Sequence, residues 1–253
     1  MMIDRQKLRK LHEEDLPLHI LEQDYIQALF LTELYSKTEK LVFKGGTYLK
    51  HAYGLDRFSE DLDFTAVEEN VEKDVRSAKD ALEDYGIAAE IDKVNENSIS
   101  FSCRLRFEGP LYKGKEQSRG SVEIDISKRE DVLLEPEWKR LFFEYPETRV
   151  VNALGLKKKE LLAEKLRALS TREKARDLYD CWFLMKQGTG IDLKLFQKKM
   201  KVVDAEPVIE IAKDQQNWKG DLEMFLENPP EFNQVKEEVM QILEEEGFEM
   251  KTS

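Results

Sequence analysis

Phe43-Lys44-Gly45-Gly46-Thr47, followed fifteen residues after Gly46 by Asp61-Leu62-Asp63, is the stretch from which this 253-residue chain is best read. Leu41-Val42-Phe43 is a short apolar run stopped by two glycines, as expected of a buried strand. Thr47 to Tyr53 predicts a short helix whose free N–H groups begin at the glycines, and such a helix start cradles phosphate. Asp61 and Asp63 are two apart. On a strand they project from one face, while Leu62 and Phe64 point to the other, into a core.

Two carboxylates on one face repel unless a cation sits between them. Oxygen ligands of this kind suit Mg²⁺, which binds one or two carboxylates together with substrate phosphates. A phosphate cradle beside a metal clamp is the layout that nucleotidyl transfer requires. Taken singly, a D-x-D is common by chance and a Gly-Gly pair is most simply a tight turn; the order and spacing of the two give them weight. Val122-Glu123-Ile124-Asp125-Ile126 alternates strictly and predicts a half-buried strand with both acids on its polar face. Acids are disfavoured in strands. A third metal carboxylate, Asp125, explains them; a solvent-facing strand surface is the plainer alternative and stays open.

These residues resemble a known family. Lys44-Gly45-Gly46-Thr47, then Tyr53-Gly54-Leu55-Asp56-Arg57-Phe58-Ser59-Glu60-Asp61-Leu62-Asp63-Phe64, look like the first motif of the AbiEii/AbiGii toxin family. The likeness continues in Glu164-Lys165-Leu166-Arg167-Ala168-Leu169, Arg172 and Arg176-Asp177-Leu178-Tyr179-Asp180, and so covers residues 40–185. The run from Arg57 to Phe64 is specific, the Lys-Arg-Asp helical motif less so. Tyr48 departs from the Ser that the family often carries, at a position where the site is mainly backbone.

The resemblance implies an α+β fold: a polymerase β-like nucleotidyltransferase core, a mixed sheet with helices, followed by an all-helical C-terminal domain. It implies the toxin of a type IV toxin–antitoxin or abortive-infection pair, with a cognate antitoxin as partner. It also implies NTP as substrate, Mg²⁺ or Mn²⁺ as cofactor, and an RNA (such as a tRNA 3′ end) or protein hydroxyl as acceptor. Carried over by position, Asp61, Asp63 and Asp125 are the catalytic and metal-binding acids. Lys44, Gly45, Gly46, Thr47 and Ser59 are expected on the nucleotide. On the residues alone, Lys165, Asp177 and Asp180 read as an exposed ion-pair ladder. With the resemblance, Lys165 is expected to meet the triphosphate, Asp177 becomes a catalytic candidate and Asp180 a nucleotide-binding one. The choice between the two acids stays open. Two rival readings also remain, a non-catalytic nucleotide- or RNA-binding protein of the same fold and a housekeeping nucleotidyltransferase.

Charge and composition fit this picture. The net charge of −12 argues against non-specific adhesion to nucleic acid or anionic membrane. Residues 149–201 are nevertheless basic, with 14 Lys and Arg against 6 Asp and Glu, as expected of a local phosphate-binding site. A solvated helix start at Lys157-Lys158-Lys159 is the alternative. Cys103 and Cys181 lie far apart in apolar-periodic segments and are expected as core residues. His12, His19 and His51 lack metal-ligand spacing, and His51 is expected on a helix surface. The absence of a membrane-length apolar run or a signal-peptide pattern leads to the expectation of a cytoplasmic protein without membrane contact.

The pattern places a nucleotidyltransferase core at 1–150 and a helical domain completing the active-site cleft at 151–253. It predicts helices over 3–15, 17–36 and 68–85, strands over 87–94, 98–107 and 121–127, and irregular chain over 133–151. The helices expected beyond span 157–170, 172–187, 192–201, 204–217, 219–227 and 231–247.

Overall fold

The computed structural model describes residues 2–12, 16–172, 174–206, 209 and 215–248. The chain divides into two units: Met1–Val132 with Pro136–Gly155, and Leu133–Glu135 with Leu156–Ser253. The first is α+β, the second helical, as expected.

The first unit is built on a seven-stranded mixed sheet. Its strands are β1 (Leu41–Lys44), β2 (Leu62–Ala66), β3 (Ala89–Glu96), β4 (Ser100–Phe107), β5 (Gly120–Ser127), β6 (Glu137–Leu141) and β7 (Val151–Gly155), in the order β3-β4-β5-β2-β1-β7-β6. β1 runs antiparallel to β2, while β2–β5 and β1–β7 are parallel. One register row pairs Phe43 with Phe64, Phe64 with Ile126 and Ile126 with Phe101, all of them buried. Phe43 and Phe64 stack at 4.9 Å between centroids. Because successive side chains alternate faces, this apolar row forces the next residue of each strand to the opposite face. That next row carries Lys44, Asp63 and Asp125.

The helices of this unit are α1 (Arg5–Lys10), α2 (Leu18–Tyr35), α3 (Gly45–Tyr53) and α4 (Val71–Ala81). The sequence suggests one apolar stripe on α2, but the structure buries α2 nearly all round from Ile20 to Tyr35. Its polar residues are therefore clamps rather than a wet face. Glu22 accepts from Leu111 N at 2.6 Å, Gln27 donates to the carbonyls of Ser59 (3.0 Å) and Glu60 (2.8 Å), and Glu33 accepts from Tyr85 and Arg149. His51, expected at a helix surface, is 3 % exposed, with Nδ1 at 3.0 Å from Phe142 O. The stretch 133–151, expected as irregular, contains β6 and the first residue of β7. As an edge strand, Glu137-Trp138-Lys139-Arg140-Leu141 carries the charges that protect edges, and these erase its hydrophobic signature.

The second unit holds α5 (Lys158–Thr171), α6 (Ala175–Lys186), α7 (Leu193–Val202), α8 (Gln215–Leu222) and α9 (Phe232–Glu245). Asp192 caps α7 by accepting from Leu195 N at 3.0 Å. Glu160, fully buried on α5, accepts Leu133 N and Leu134 N, both at 2.8 Å, which explains why that short strap belongs here. Lys199 of α7 lies buried between Glu160 (2.7 Å) and Glu164 (2.8 Å). Of the helix expected over 204–217, residues 207–208 and 210–214 lie outside the described residues; among the described ones, 204–206 are not helical and helix is present over 215–217.

Candidate active site

The row beside the apolar one reads Lys44, Asp63, Asp125, Ser102. Lys44 opposes Asp63 across β1 and β2, Asp63 opposes Asp125 across β2 and β5, and Asp125 opposes Ser102 across β5 and β4. Directly opposed residues share a face. Two carboxylates separated by more than sixty residues of sequence are thus neighbours. Lys44 Nζ lies 2.5 Å from Glu130 Oε2, just beyond β5, so the row's cation is already engaged.

The first turn of α3 is fitted against this row. Gly45 has φ +78°, and a Cβ there would fall 2.1 Å from Asp63 Oδ2. Left-handed backbone and lack of room both require glycine at this position. A Cβ on Gly46 would fall 2.7 Å from both Arg57 Nη2 and Ser59 Oγ. The bare turn is thereby lodged between a carboxylate on one side and a guanidinium and hydroxyl on the other. Thr47 Oγ1 donates to Asp61 O at 2.6 Å, tying the turn to the residue just before β2 rather than to the strand itself. Tyr48, where the family often has Ser, spreads its ring against Gly155 of β7, where a Cβ would approach to 2.1 Å.

Electrostatics single out Asp125. Loss of solvent around it, and then the neighbouring Asp63 charge, raise its carboxyl above the ordinary carboxylate range. Among the described residues, no group of three or more Asp, Glu, His or Cys side chains forms a ready metal cage. The donors of the row are oxygens only, and the hard cation suited to them is one that fills its remaining positions with substrate oxygens.

In the helical unit, Lys165 of α5 contacts both acids of α6: Asp180 Oδ2 at 2.6 Å and Asp177 Oδ1 at 3.4 Å. Arg172 Nε adds a contact to Asp177 Oδ2 at 2.7 Å. Asp180 is fully buried and Asp177 nearly so. Arg176, adjacent to Asp177 in sequence, instead places its guanidinium 4.7 Å over the Phe225 ring. Spacing along α6 explains this, since neighbours in sequence do not face each other on a helix.

The structure therefore brings Lys44, Gly45, Gly46, Ser59, Asp63 and Asp125 together in one unit, with Thr47 and Asp61 joined beside them. It brings Lys165, Asp177 and Asp180 together in the other. Sequence reasoning missed Glu130 as the partner of Lys44 and Arg57 as the wall behind Gly46. Arg57 lies within the motif, yet a buried arginine leaves no periodic signal. Cys103 and Cys181 are buried free thiols, and burial pushes the Cys103 thiol up to about 12.

Comparison with known proteins defines the class. MenT4, a nucleotidyltransferase toxin from Mycobacterium tuberculosis, superposes with a TM-score of 0.69 at 20 % identity, covering 95 % of this chain and 88 % of that one. JHP933 from Helicobacter pylori superposes at 0.53 with 22 % identity and 90 % coverage of both chains. At such identities the likeness is one of fold. No curated protein matches the chain in sequence. The family described as nucleotidyl transferase AbiEii toxin, type IV TA system, matches residues 28–245. The chain belongs to that family, and is a nucleotidyltransferase toxin of a type IV toxin–antitoxin system. No helix among the described residues is long and apolar enough to cross a membrane.

Proposed function

We propose that this chain transfers a nucleoside monophosphate from an NTP to a hydroxyl of an RNA, such as a tRNA 3′ end, or of a protein, and that a cognate antitoxin restrains it. The observation that carries this reading is the register row, which sets Asp63 beside Asp125 with Gly45 pressed against the Asp63 carboxylate. Asp61, Asp63 and Asp125 would hold Mg²⁺ or Mn²⁺; when bound, the ion neutralises phosphate charge and acidifies the acceptor hydroxyl. The N–H groups of Gly45, Gly46 and Thr47 and the Ser59 hydroxyl orient the phosphates, with Lys44 beside them. Asp125 serves as metal ligand or as the base that takes the acceptor hydroxyl proton. The acceptor oxygen bonds to the α-phosphorus and the bond to the bridging oxygen breaks, releasing pyrophosphate. In the helical unit, Asp177 and Asp180 set the position of Lys165, whose ammonium is a point charge suited to a phosphate.

Incubation with each radiolabelled NTP, Mg²⁺ and either total RNA or cell lysate tests the reading. Label entering one macromolecular fraction from one preferred NTP, and lost in Asp63→Ala, is the expected result. Equal labelling by the Asp63→Ala protein would refute it.

A further inference from the structure

The edge of the sheet carries a feature that the acid row does not use. In register, Phe43 opposes Gly155 and Gly155 opposes Glu137. This row lies on the α3 side, because Gly155 abuts Tyr48 and the Tyr53 hydroxyl donates to Glu137 Oε1 at 2.7 Å. The alternate residues of β6 and β7, Trp138 opposite Leu154 and Arg140 opposite Asn152, therefore project from the other face, the one that bears Lys44, Asp63 and Asp125. Trp138 is 51 % exposed, and Phe142, just past the end of β6, is 65 % exposed. From β2 to β6 is three strand spacings, about 14 Å.

The arginine in this strip differs from five others of the sheet unit. Arg76, Arg104, Arg106, Arg119 and Arg149 each hold a carboxylate. Arg140 has no carboxylate partner among the described residues; its guanidinium lies 5.6 Å from the Phe142 ring centroid. Lys139, beside it, lies 5.1 Å over Tyr53. In a chain of net charge −12, an open run of tryptophan, arginine and phenylalanine with unspent positive charge matches one chemistry well. Aromatic faces that stack bases, next to cations that follow phosphates, bind single-stranded nucleic acid without reading its sequence.

We infer that Trp138, Arg140 and Phe142 form a stacking platform for unpaired nucleotides of an RNA acceptor, upstream of the hydroxyl presented to the acid row. This rests on the RNA branch of the function proposed above. It assigns the acceptor strand to the β6 edge of the sheet.

The test uses the full chain and a fluorescein-labelled single-stranded RNA dodecamer with a free 3′ hydroxyl, read by anisotropy across a salt series. Trp138→Leu keeps an apolar side chain but removes the π face, and should weaken binding about tenfold. Trp138→Phe should keep most of the affinity. Arg140→Gln should lower the salt slope by about one. In steady-state labelling, Trp138→Leu should raise the KM for RNA and leave the KM for NTP in place. Wild-type affinity in Trp138→Leu, alongside lost labelling in Asp63→Ala, would overturn the platform and leave the enzyme reading intact. Labelling of protein but not RNA by the wild type would overturn the platform together with the RNA acceptor. A wild-type dimer dissociated by Trp138→Leu would assign the strip to a second copy and overturn the proposal too.

Discussion

In the sheet unit, Asp125 stands beside Asp63 and is raised by that neighbour, while Lys44, the cation of the row, is held by Glu130. In the helical unit, Asp177 and Asp180 surround Lys165, and Arg172 closes the group from outside. Both places collect carboxylates; in the second, Lys165 and Arg172 meet the two acids with two positive charges. A cluster neutral within itself behaves as structure until a ligand displaces one partner. Asp63 and Asp125 stand side by side in register, and the charge of the first raises the second; oxygen donors so placed suit a cation that brings substrate oxygens with it. The basic count of residues 149–201 overstates the positive surface for this reason, since Lys165, Arg172, Lys186 and Lys199 are committed to acids within the unit.

The comparison breaks first on activity. Asp63→Ala should lower kcat/KM about a thousandfold, ~4 kcal/mol of transition-state stabilisation. The variant should stay folded, with a Tm close to that of the wild type. A variant that lost activity only through a lower Tm would make the row structural and erase the contrast.

Asp180→Ala tests the other side. Removing a fully buried acid takes away the 2.6 Å partner of Lys165 and leaves its contact with Asp177 at 3.4 Å. Breaking a buried pair from one side costs about 3 kcal/mol, read as a lower urea midpoint at unchanged slope. Near-zero loss would show that Lys165 is free to leave the cluster at little cost, and would move the helical unit towards the sheet row in character.

Gly45→Ala comes next. The positive φ and the contact with Asp63 both oppose a side chain, at a cost of about 1–3 kcal/mol. Part of that loss should vanish in the double variant with Asp63→Ala, where the clashing carboxylate is gone. Strict additivity of the two substitutions would deny that the glycine is shaped to the acid.

Much of this was legible in the sequence, for reasons that residues make plain. The alternation in Leu62–Phe64 and Val122–Ile126 sends apolar and acidic side chains to opposite faces whatever lies around them, so the acids of β2 and β5 could be read directly. β6 could not be, because Trp138, Lys139 and Arg140 on an edge strand mimic a polar loop. Nor could the surroundings of α2, where Glu22, Asp24, Gln27 and Glu33 look like a solvent face. Each is buried by partners 26 to 121 residues away, and long-range pairing leaves no local period. His51 was misplaced on the surface for the same reason, since the groups that bury it come from α2 and from Phe142.

Asp24 offers the finest test, because it is a compensated carboxylate inside the same unit as the acid row. It is 3 % exposed, and its Oδ2 accepts from Tyr145 at 2.6 Å, while Oδ1 faces His51 Nε2 at 3.4 Å and Lys50 Nζ at 3.7 Å. Burial alone would raise its carboxyl; Lys50, His51 and the Tyr145 hydroxyl outweigh burial and hold it well below the usual carboxylate range. A carboxyl whose folded pKa is depressed contributes stability that is present above its unfolded value of about 3.9 and is lost as pH falls through the folded one. Asp24→Asn should therefore destabilise the protein by about 1–2 kcal/mol at pH 7. The gap between wild type and variant should narrow below pH 4. Asp125→Asn, its counterpart in the row, should show no such loss at pH 7, since its folded pKa is shifted the other way. Chemical denaturation of both variants at pH 7 and pH 3.5 reads the difference. If Asp24→Asn were as stable as wild type at pH 7, compensation would not separate structural acids from the acid row in this unit.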